Sequence, residues 1–390
     1  MIISDRIAQI SASPTLAMAA KAASMKAAGE NILSMSLGEP DFPTPAHVKQ
    51  AVKEAVDADL SHYGPVPGTP GLRAAAAKYM SAWAGKVDTF AAEDIIVSVG
   101  AKQSICNAIE TLVGKGDEVI LPTPCWVSYS EMVKVAEGKV VNIATRMEDQ
   151  YCLTPDQLRK AITPKTKLLL LCTPNNPTGS VYSRKQLDEL VAVLEEHPHV
   201  AVLADEIYSP LVYGVEAVSF AQYPQLADRL IVINGVSKAY AMTGYRIGWL
   251  LCKDADFISG CARLQGQQIT CATMVAQKAA EAAMTGSQDC VEEMRKVFEE
   301  RKELICRLAA DIPGFKFDEP EGAFYLFPNV SALGTGDEIA EYLLEKAHVA
   351  CVSGSAFGCD ECIRLSYAIS TEEIKEAMRR IKEALAQYKK

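Results

Sequence analysis

Basic charge is in short supply: 39 lysines and arginines stand against 49 aspartates and glutamates, a formal net charge of −10. Gripping a nucleic-acid backbone requires a basic face, and this deficit argues against one. Histidine is scarcer still, and the five present (His47, His62, His197, His199 and His348) show no ligand spacing. No apolar run is long enough to span a bilayer, which argues against a membrane protein. The opening "MIISDRIAQISASPTLAMAAKAASM" lacks the continuous apolar core of a signal peptide, so a cytoplasmic protein is expected. Cysteine is plentiful, at 12, but a disulfide framework is missing, and scattered thiols are expected to stay reduced. Cys359 and Cys362 form one isolated C-x-x-C with no second pair at zinc spacing, so no metal is expected. Internal repeats and low-complexity linkers are also absent.

What remains is an ordinary globular composition, 49% apolar and 23% charged, with ample material for a core. At 390 residues the chain exceeds the size at which one core stops growing, so a large and a small domain are expected. From about residue 94, short β-rich runs alternate with helical stretches: "DIIVSVG", "DEVILPTP", "KVVNIAT", "TKLLLLCTP", "VAVLADEIY", "RLIVINGVSK" and "RIGWLLC". Continuous apolar strands between helices predict an α/β fold with a mostly parallel sheet covered on both faces. After residue 287 a long charged helix is followed by strand-like "GAFYLFPNV" and "ECIRLSYAI", which reads as a smaller α+β domain. Its last helix opens on a capping box, Ser370 with Glu373. The expected boundaries are 1–40 for an N-terminal segment joining the small domain, 41–286 for the large domain and 287–390 for the small one.

In parallel sheets ligands sit beyond the carboxyl ends of the strands. That places "VGAK", "PTPCW", "TPNNPTG", "ADEIY" and "NGVSK" along one edge. A partly desolvated lysine there, Lys238, has a lowered pKa and can form a Schiff base with an aldehyde. Pyridoxal phosphate uses such a lysine, together with an acid at its ring nitrogen and an anion site for its phosphate. Asp205 follows "VAVLA" directly, a costly place for an unpaired carboxylate. Ser237 and Arg246 flank Lys238 and can share one phosphate, and the helix start at "VGAK" presents backbone N–H groups.

With these motifs in order, the sequence resembles the class I pyridoxal-phosphate-dependent aminotransferases of fold type I, and within them the bacterial aspartate aminotransferase subgroup. The likeness runs through "SLGEPDFPTPAHV", "YGPVPGTPGLR", "VGAKQSICNAI", "GDEVILPTPCWVSY", "TPNNPTGSVY", "ADEIY", "SKAYAMTGYRIGW", "GAFY" and "IRLSYA", nearly the whole chain. It implies a large domain built on a mostly parallel seven-stranded sheet between helices, plus the smaller α+β domain. By the same resemblance, Lys238 would tether the cofactor and, once released, carry a proton between the substrate Cα and the cofactor. Asp205 would keep the pyridine nitrogen protonated, and Tyr208 and Asn176 would hydrogen-bond the ring oxygen. Trp126 would lie against the ring. Ser237, Arg246 and the amides of Gly100, Ala101 and Lys102 would hold the phosphate. Tyr63 would reach the phosphate of a neighbouring subunit, which implies a homodimer with shared active sites. Arg364 would clamp the substrate α-carboxylate, and Gly38 would let the N-terminal segment approach the substrate.

For the substrate side chain, the resemblance implies a distal carboxylate met by Lys102 of "GAKQ", assisted by Ser13 and Thr15 of "ASPTLA"; a helix N-cap is the other reading of those two hydroxyls. The expected reaction is amino transfer from L-aspartate or L-glutamate to a 2-oxo acid such as 2-oxoglutarate in a ping-pong cycle. Prephenate, aromatic or neutral amino acids, or carbon–sulfur β-elimination, remain alternatives on the same cofactor residues. A silent aminotransferase-like regulator would carry a DNA-binding segment, for which the chain has no spare stretch.

Overall fold

The computed structural model describes residues 3–12, 14–85 and 89–388. At its centre is a seven-stranded sheet. Across the sheet the order is Ile95–Val99, Ile247–Leu251, Leu230–Gly235, Ala201–Asp205, Thr166–Cys172, Glu118–Thr123 and Lys139–Ala144. Ile247–Leu251 runs antiparallel to both neighbours, and the other adjacent pairs are parallel. The mostly parallel sheet expected from the sequence is therefore present.

The central strands are apolar on both faces because helices cover both. In Thr166–Cys172, Leu168 and Leu170 join the core on one side, and Leu169 and Leu171 join the core on the other. Lys139–Ala144, at the sheet edge, instead mixes half-buried and exposed positions. The helix Arg184–Glu195 starts at a capping box, with Ser183 and Gln186 satisfying each other's backbone amides, and buries Leu187, Leu190, Val191 and Leu194.

One face of the sheet continues into the C-terminal region. Leu203 and Ile233 share an apolar cluster with Phe298 and Ile305 of the helix Asp289–Ala310, and with Leu365 and Ile374. A short antiparallel sheet there joins Val352–Ser353, Ile363–Ser366 and Tyr325–Leu326. The expected strand over "GAFYLFPNV" shrinks to Tyr325–Leu326. Ala323 takes a positive φ of 56°, and Pro328 lacks the amide a ladder needs, so pairing stops on either side. The final helix, Thr371–Gln387, opens on the expected box: the Ser370 amide donates to Glu373 at 3.1 Å and the Glu373 amide to Ser370 at 3.2 Å. Near the other terminus, Leu33–Ser34 pairs in parallel with Val349–Ala350, tying the N-terminal segment to the C-terminal region.

This topology builds the site. Cys172, Asp205 and Ile233 lie side by side near the carboxyl ends of their strands. Because Ile247–Leu251 is reversed, its first residue pairs with Val99, the last residue of the edge strand. Arg246 therefore enters from the same edge as Gly100, Asp205 and Lys238.

Candidate active site

A cleft of about 420 Å³ opens at this edge. Asp205, 3% exposed, lines its floor. Tyr129 Oη donates to Asp205 Oδ2 at 2.7 Å and the Ile207 amide to Oδ1 at 3.2 Å. Burial still pushes the carboxyl up to about 6, against those two hydrogen bonds and the charge of Lys238. Lys238 lies three residues beyond the strand Leu230–Gly235, and its Nζ donates to the Gly38 carbonyl. The amine is 5.7 Å from the Tyr208 ring centre and 6.0 Å from that of Phe324. Burial lowers its pKa to about 8, with Glu39 opposing the shift and Arg364 and Arg246 adding to it. Lys238 and Asp205 thus share one cleft closely enough to feel each other's charge.

A second part of the cleft is built for an anion. The helix Ala101–Leu112 starts after Gly100, whose φ is 79°. A Cβ on Gly100 would lie 2.6 Å from Arg246 Nη2, and the left-handed φ favours glycine, so the guanidinium lies close against the helix start. Arg246 is held by its own Nη1 donating to the Thr243 carbonyl at 2.8 Å. Ala101, Lys102, Ser237 and Arg246 all line the cleft. The amides of a first helical turn have no acceptor within the helix and carry its positive dipole end, so hydroxyl, guanidinium and N–H groups converge here.

The third part holds two cations, Arg364 and Lys102. Arg364, 3% exposed, sits on the strand Ile363–Ser366. Its Nη1 donates to Asn176 Oδ1 at 2.8 Å and its Nη2 to the Ser36 carbonyl at 2.7 Å. The guanidinium lies 4.5 Å from the Tyr325 ring centre and 5.0 Å from that of Phe357. Its Nε is buried without a partner. Lys102 Nζ lies 4.9 Å over the Trp126 ring, and Trp126 meets Tyr129 edge-on at 5.3 Å. Thr15 and Leu16 complete the wall.

The residues singled out from sequence are brought together with few exceptions. Lys238, Asp205, Tyr208, Asn176, Ser237, Arg246, Trp126, Ala101, Lys102, Gly38, Thr15 and Arg364 line one cleft, with Gly100 directly behind Arg246. Tyr63 does not line it and stands 89% exposed. Ser13 lies outside the described residues. Sequence reasoning passed over Tyr129, Tyr325, Glu39 and Thr243. Tyr129 had a readable signal, since it follows Trp126 by three residues, and a turn at the helix start joins them, the Tyr129 amide donating to the Trp126 carbonyl at 3.1 Å. Tyr325, the last residue of the quoted "GAFY", has its Oη 2.9 Å from that of Tyr208, a pairing that only the fold brings about. Glu39 and Thr243 are likewise joined across the cleft mouth by a hydrogen bond of 2.7 Å. Among the described residues, no group of three or more His, Cys, Asp or Glu is arranged to hold a metal ion.

Known proteins with this architecture are close. The aspartate/prephenate aminotransferase of Nitrosomonas europaea is 42% identical, covering 99% of this chain and 100% of its own. The aspartate aminotransferase of Geobacillus stearothermophilus is 41% identical over 98% of both chains. The crystal structure of the aspartate aminotransferase from Rhizobium meliloti superposes with a TM-score of 0.96 at 39% identity, covering 100% of both chains. That from Thermus thermophilus with maleate gives 0.94 at 36% identity, over 98% of this chain and 100% of the other. The family model for aminotransferase class I and II matches residues 30–381. The chain therefore belongs to the class I and II aminotransferases, enzymes of fold type I that depend on pyridoxal phosphate.

Proposed function

We propose that the chain transfers the α-amino group of L-aspartate or L-glutamate to a 2-oxo acid such as 2-oxoglutarate, in a ping-pong cycle with pyridoxal phosphate in the strand-end cleft. The observation that carries this reading is a pair of cations beyond the anion cradle, Arg364 and Lys102, in the same cleft as Lys238. Two receptors suit a substrate with two carboxylates. The names of the relatives, and the dicarboxylate maleate in the Thermus thermophilus structure, point the same way.

The residues present fit the cofactor. Gly100 leaves the space that Arg246 fills, an anion cradle a side chain would block. The buried carboxyl of Asp205 suits a cationic ring nitrogen, and the unpartnered Nε of Arg364 suits an incoming carboxylate. When bound, the cofactor supplies an aldehyde carbon for the amino group and a cationic ring that withdraws electrons from Cα. Asp205 favours a proton on the facing ring nitrogen. Tyr208 and Asn176 offer hydrogen bonds to the ring oxygen, and Trp126 covers the ring. Ser237, Arg246 and the amides of Gly100, Ala101 and Lys102 grip the phosphate. Lys238, with a pKa near 8, exists partly as the free amine near neutrality, so it can take a proton from Cα and return it. Arg364 presents a planar fork to the α-carboxylate, a fit lysine cannot reproduce. Lys102, with Thr15 beside it, meets the distal carboxylate, and Gly38 keeps the N-terminal segment close.

The same reading includes a large domain over 41–286, a small one over 287–390 and an N-terminal segment over 1–40 that joins the small domain. It also includes a homodimer in which Tyr63 completes the neighbouring phosphate site. The exposure of Tyr63 supports this, because a tyrosine that serves its own cleft would be found in it. A cytoplasmic location is in keeping with 12 cysteines, all free.

Prephenate is a second acceptor to consider. It carries one carboxylate on a six-membered ring and a second on its 2-oxo acid chain, the Nitrosomonas europaea relative is named for it, and Leu16 and Ile105 give the cleft an apolar wall. A panel of amino donors and acceptors tests these readings. Aspartate and glutamate are expected to outrun neutral and aromatic donors; a neutral donor in first place would overturn the proposal. In Lys102→Ala, KM for aspartate should rise about ten- to a hundredfold, the value of one charge-assisted hydrogen bond, with little change for alanine. Equal effects on both donors would remove Lys102 from the side-chain site.

A further inference from the structure

The C-x-x-C pair lies in a loop that touches the substrate-side arginine. Cys359 and Cys362 are free thiols with their sulfurs 3.3 Å apart. Cys362 is fully buried, with Tyr151 Oη at 3.6 Å, whereas Cys359 is partly exposed. The loop is tightly closed: the Gly354 amide donates to the Cys362 carbonyl at 2.7 Å and the Cys359 amide to the Gly354 carbonyl at 2.9 Å. Phe357, within this loop, places its ring 5.0 Å from the Arg364 guanidinium. Its carbonyl accepts the Cys125 amide at 3.1 Å, next to Trp126. Cys362 stands two residues before Arg364, and the strand Ile363–Ser366 connects them.

We propose that Cys359 and Cys362 form a redox-active dithiol that exchanges with low-molecular-weight disulfides, and that closing it weakens substrate binding at Arg364. Cys359 is the attacking sulfur because it is the exposed one. Cys362 hydrogen-bonds it and holds its pKa below the ordinary thiol value, while Cys362 itself is pushed up by that contact and by burial. The Cys359 thiolate attacks one sulfur of the disulfide and expels one thiolate. Cys362 then gives its proton to solvent, attacks the Cys359 sulfur of the mixed disulfide and expels the second. Two protein thiols are oxidised to one disulfide, and the external disulfide is reduced to two thiols. Exposed Asp360 and Glu361 stand between the cysteines, so a cationic disulfide is favoured over an anionic one. Drawing the sulfurs from 3.3 Å to bonding distance shifts a loop whose ends are hydrogen-bonded together, and Phe357 of that loop lies against Arg364.

The other cysteines are poorer candidates. Burial pushes Cys125, Cys152, Cys252, Cys306 and Cys351 up to about 12.

The effect on binding rests on the role given above to Arg364; the exchange itself does not. The test treats the full-length holoenzyme with cystamine, maps disulfides by peptide mass spectrometry, and measures kinetics before and after dithiothreitol. Expected are a Cys359–Cys362 linkage that forms faster with cystamine than with glutathione disulfide, and a KM for aspartate raised severalfold with kcat less affected. Dithiothreitol should reverse both, and Cys359→Ser should be immune to both. Mixed disulfides confined to other cysteines would overturn the proposal, and so would a Cys359–Cys362 bond that leaves KM unchanged. Because the mass measurement needs no turnover, unreactive thiols in an enzyme that transaminates aspartate would refute this inference alone. A reduced enzyme that ignores aspartate would refute the functional reading instead.

Discussion

At the scale of single residues, the site depends on placing ionisable groups where water cannot reach them. Asp205 shows the sign of the effect. Its folded pKa is raised, from 3.8 to about 6, so the folded chain binds this proton more tightly than the unfolded chain does. In the cofactor-free protein, this group's contribution is fully present below about pH 4 and is lost as pH rises through 6. Asp205→Asn keeps the shape and removes the titration. Urea melts of the apoenzyme at pH 4 and 6.5 should show the parent losing about 2 kcal/mol more than the variant across that window. Equal losses in both would place the carboxylate in a wetter setting than the cleft provides. Lys238→Ala should cut turnover by about 10²–10⁴-fold, the range for a positioned proton-transfer group, while cofactor absorbance is retained. Ordinary turnover in that variant would refute its role. At this scale the sequence was highly legible: a buried carboxylate after an apolar strand and a lysine flanked by serine and arginine are unusual enough to read unaided.

At the scale of elements, the reversed strand Ile247–Leu251 and the helix Ala101–Leu112 make the anion cradle between them. They pass so close that a Cβ on Gly248 would sit 2.2 Å from the Ala101 nitrogen. The obstacle is backbone, which cannot swing aside as a side chain would. Gly248→Ala should therefore push the helix start off the strand, destabilising the fold by about 1–3 kcal/mol and weakening cofactor binding more than catalysis by bound cofactor. Equilibrium dialysis with pyridoxal phosphate checks this, and an unchanged affinity would count against the cradle. The strands were plain in sequence because each is a run of apolar β-formers between turns. The direction of Ile247–Leu251 was not, because a strand buried on both faces reads the same either way along the sheet. Nor was the shortness of Tyr325–Leu326, where Pro328 and the positive φ of Ala323 override an apolar pattern.

At the scale of the whole molecule, the N-terminal segment, the sheet edge and the C-terminal region converge on one cleft. Arg301 of the long helix makes a two-pronged ion pair with Asp41, at 2.7 and 2.9 Å, just beyond Gly38 and Glu39. The segment that borders the cleft is thereby anchored to an element far along the chain. In the proposed homodimer Tyr63 would reach the neighbouring cleft from outside, and subunit mixing tests it. In a hybrid of Lys238→Ala and Tyr63→Ala subunits, one site carries both lesions and the other neither. Activity above that of either parent is expected after mixing, and its absence would argue for self-contained sites.

The sequence by itself determined the alternating α/β order, the apolar strands and the identity of the ionisable groups at their ends, because these follow from local pattern and from the cost of placing charge beside apolar runs. Only the tertiary structure decided the partners: Tyr129 on Asp205, Asn176 and the Ser36 carbonyl on Arg364, and Phe357 of the cysteine loop against the same guanidinium. Such pairs join residues up to 328 positions apart, and no periodicity along a chain encodes which distant side chains a folded sheet edge will bring within hydrogen-bonding range.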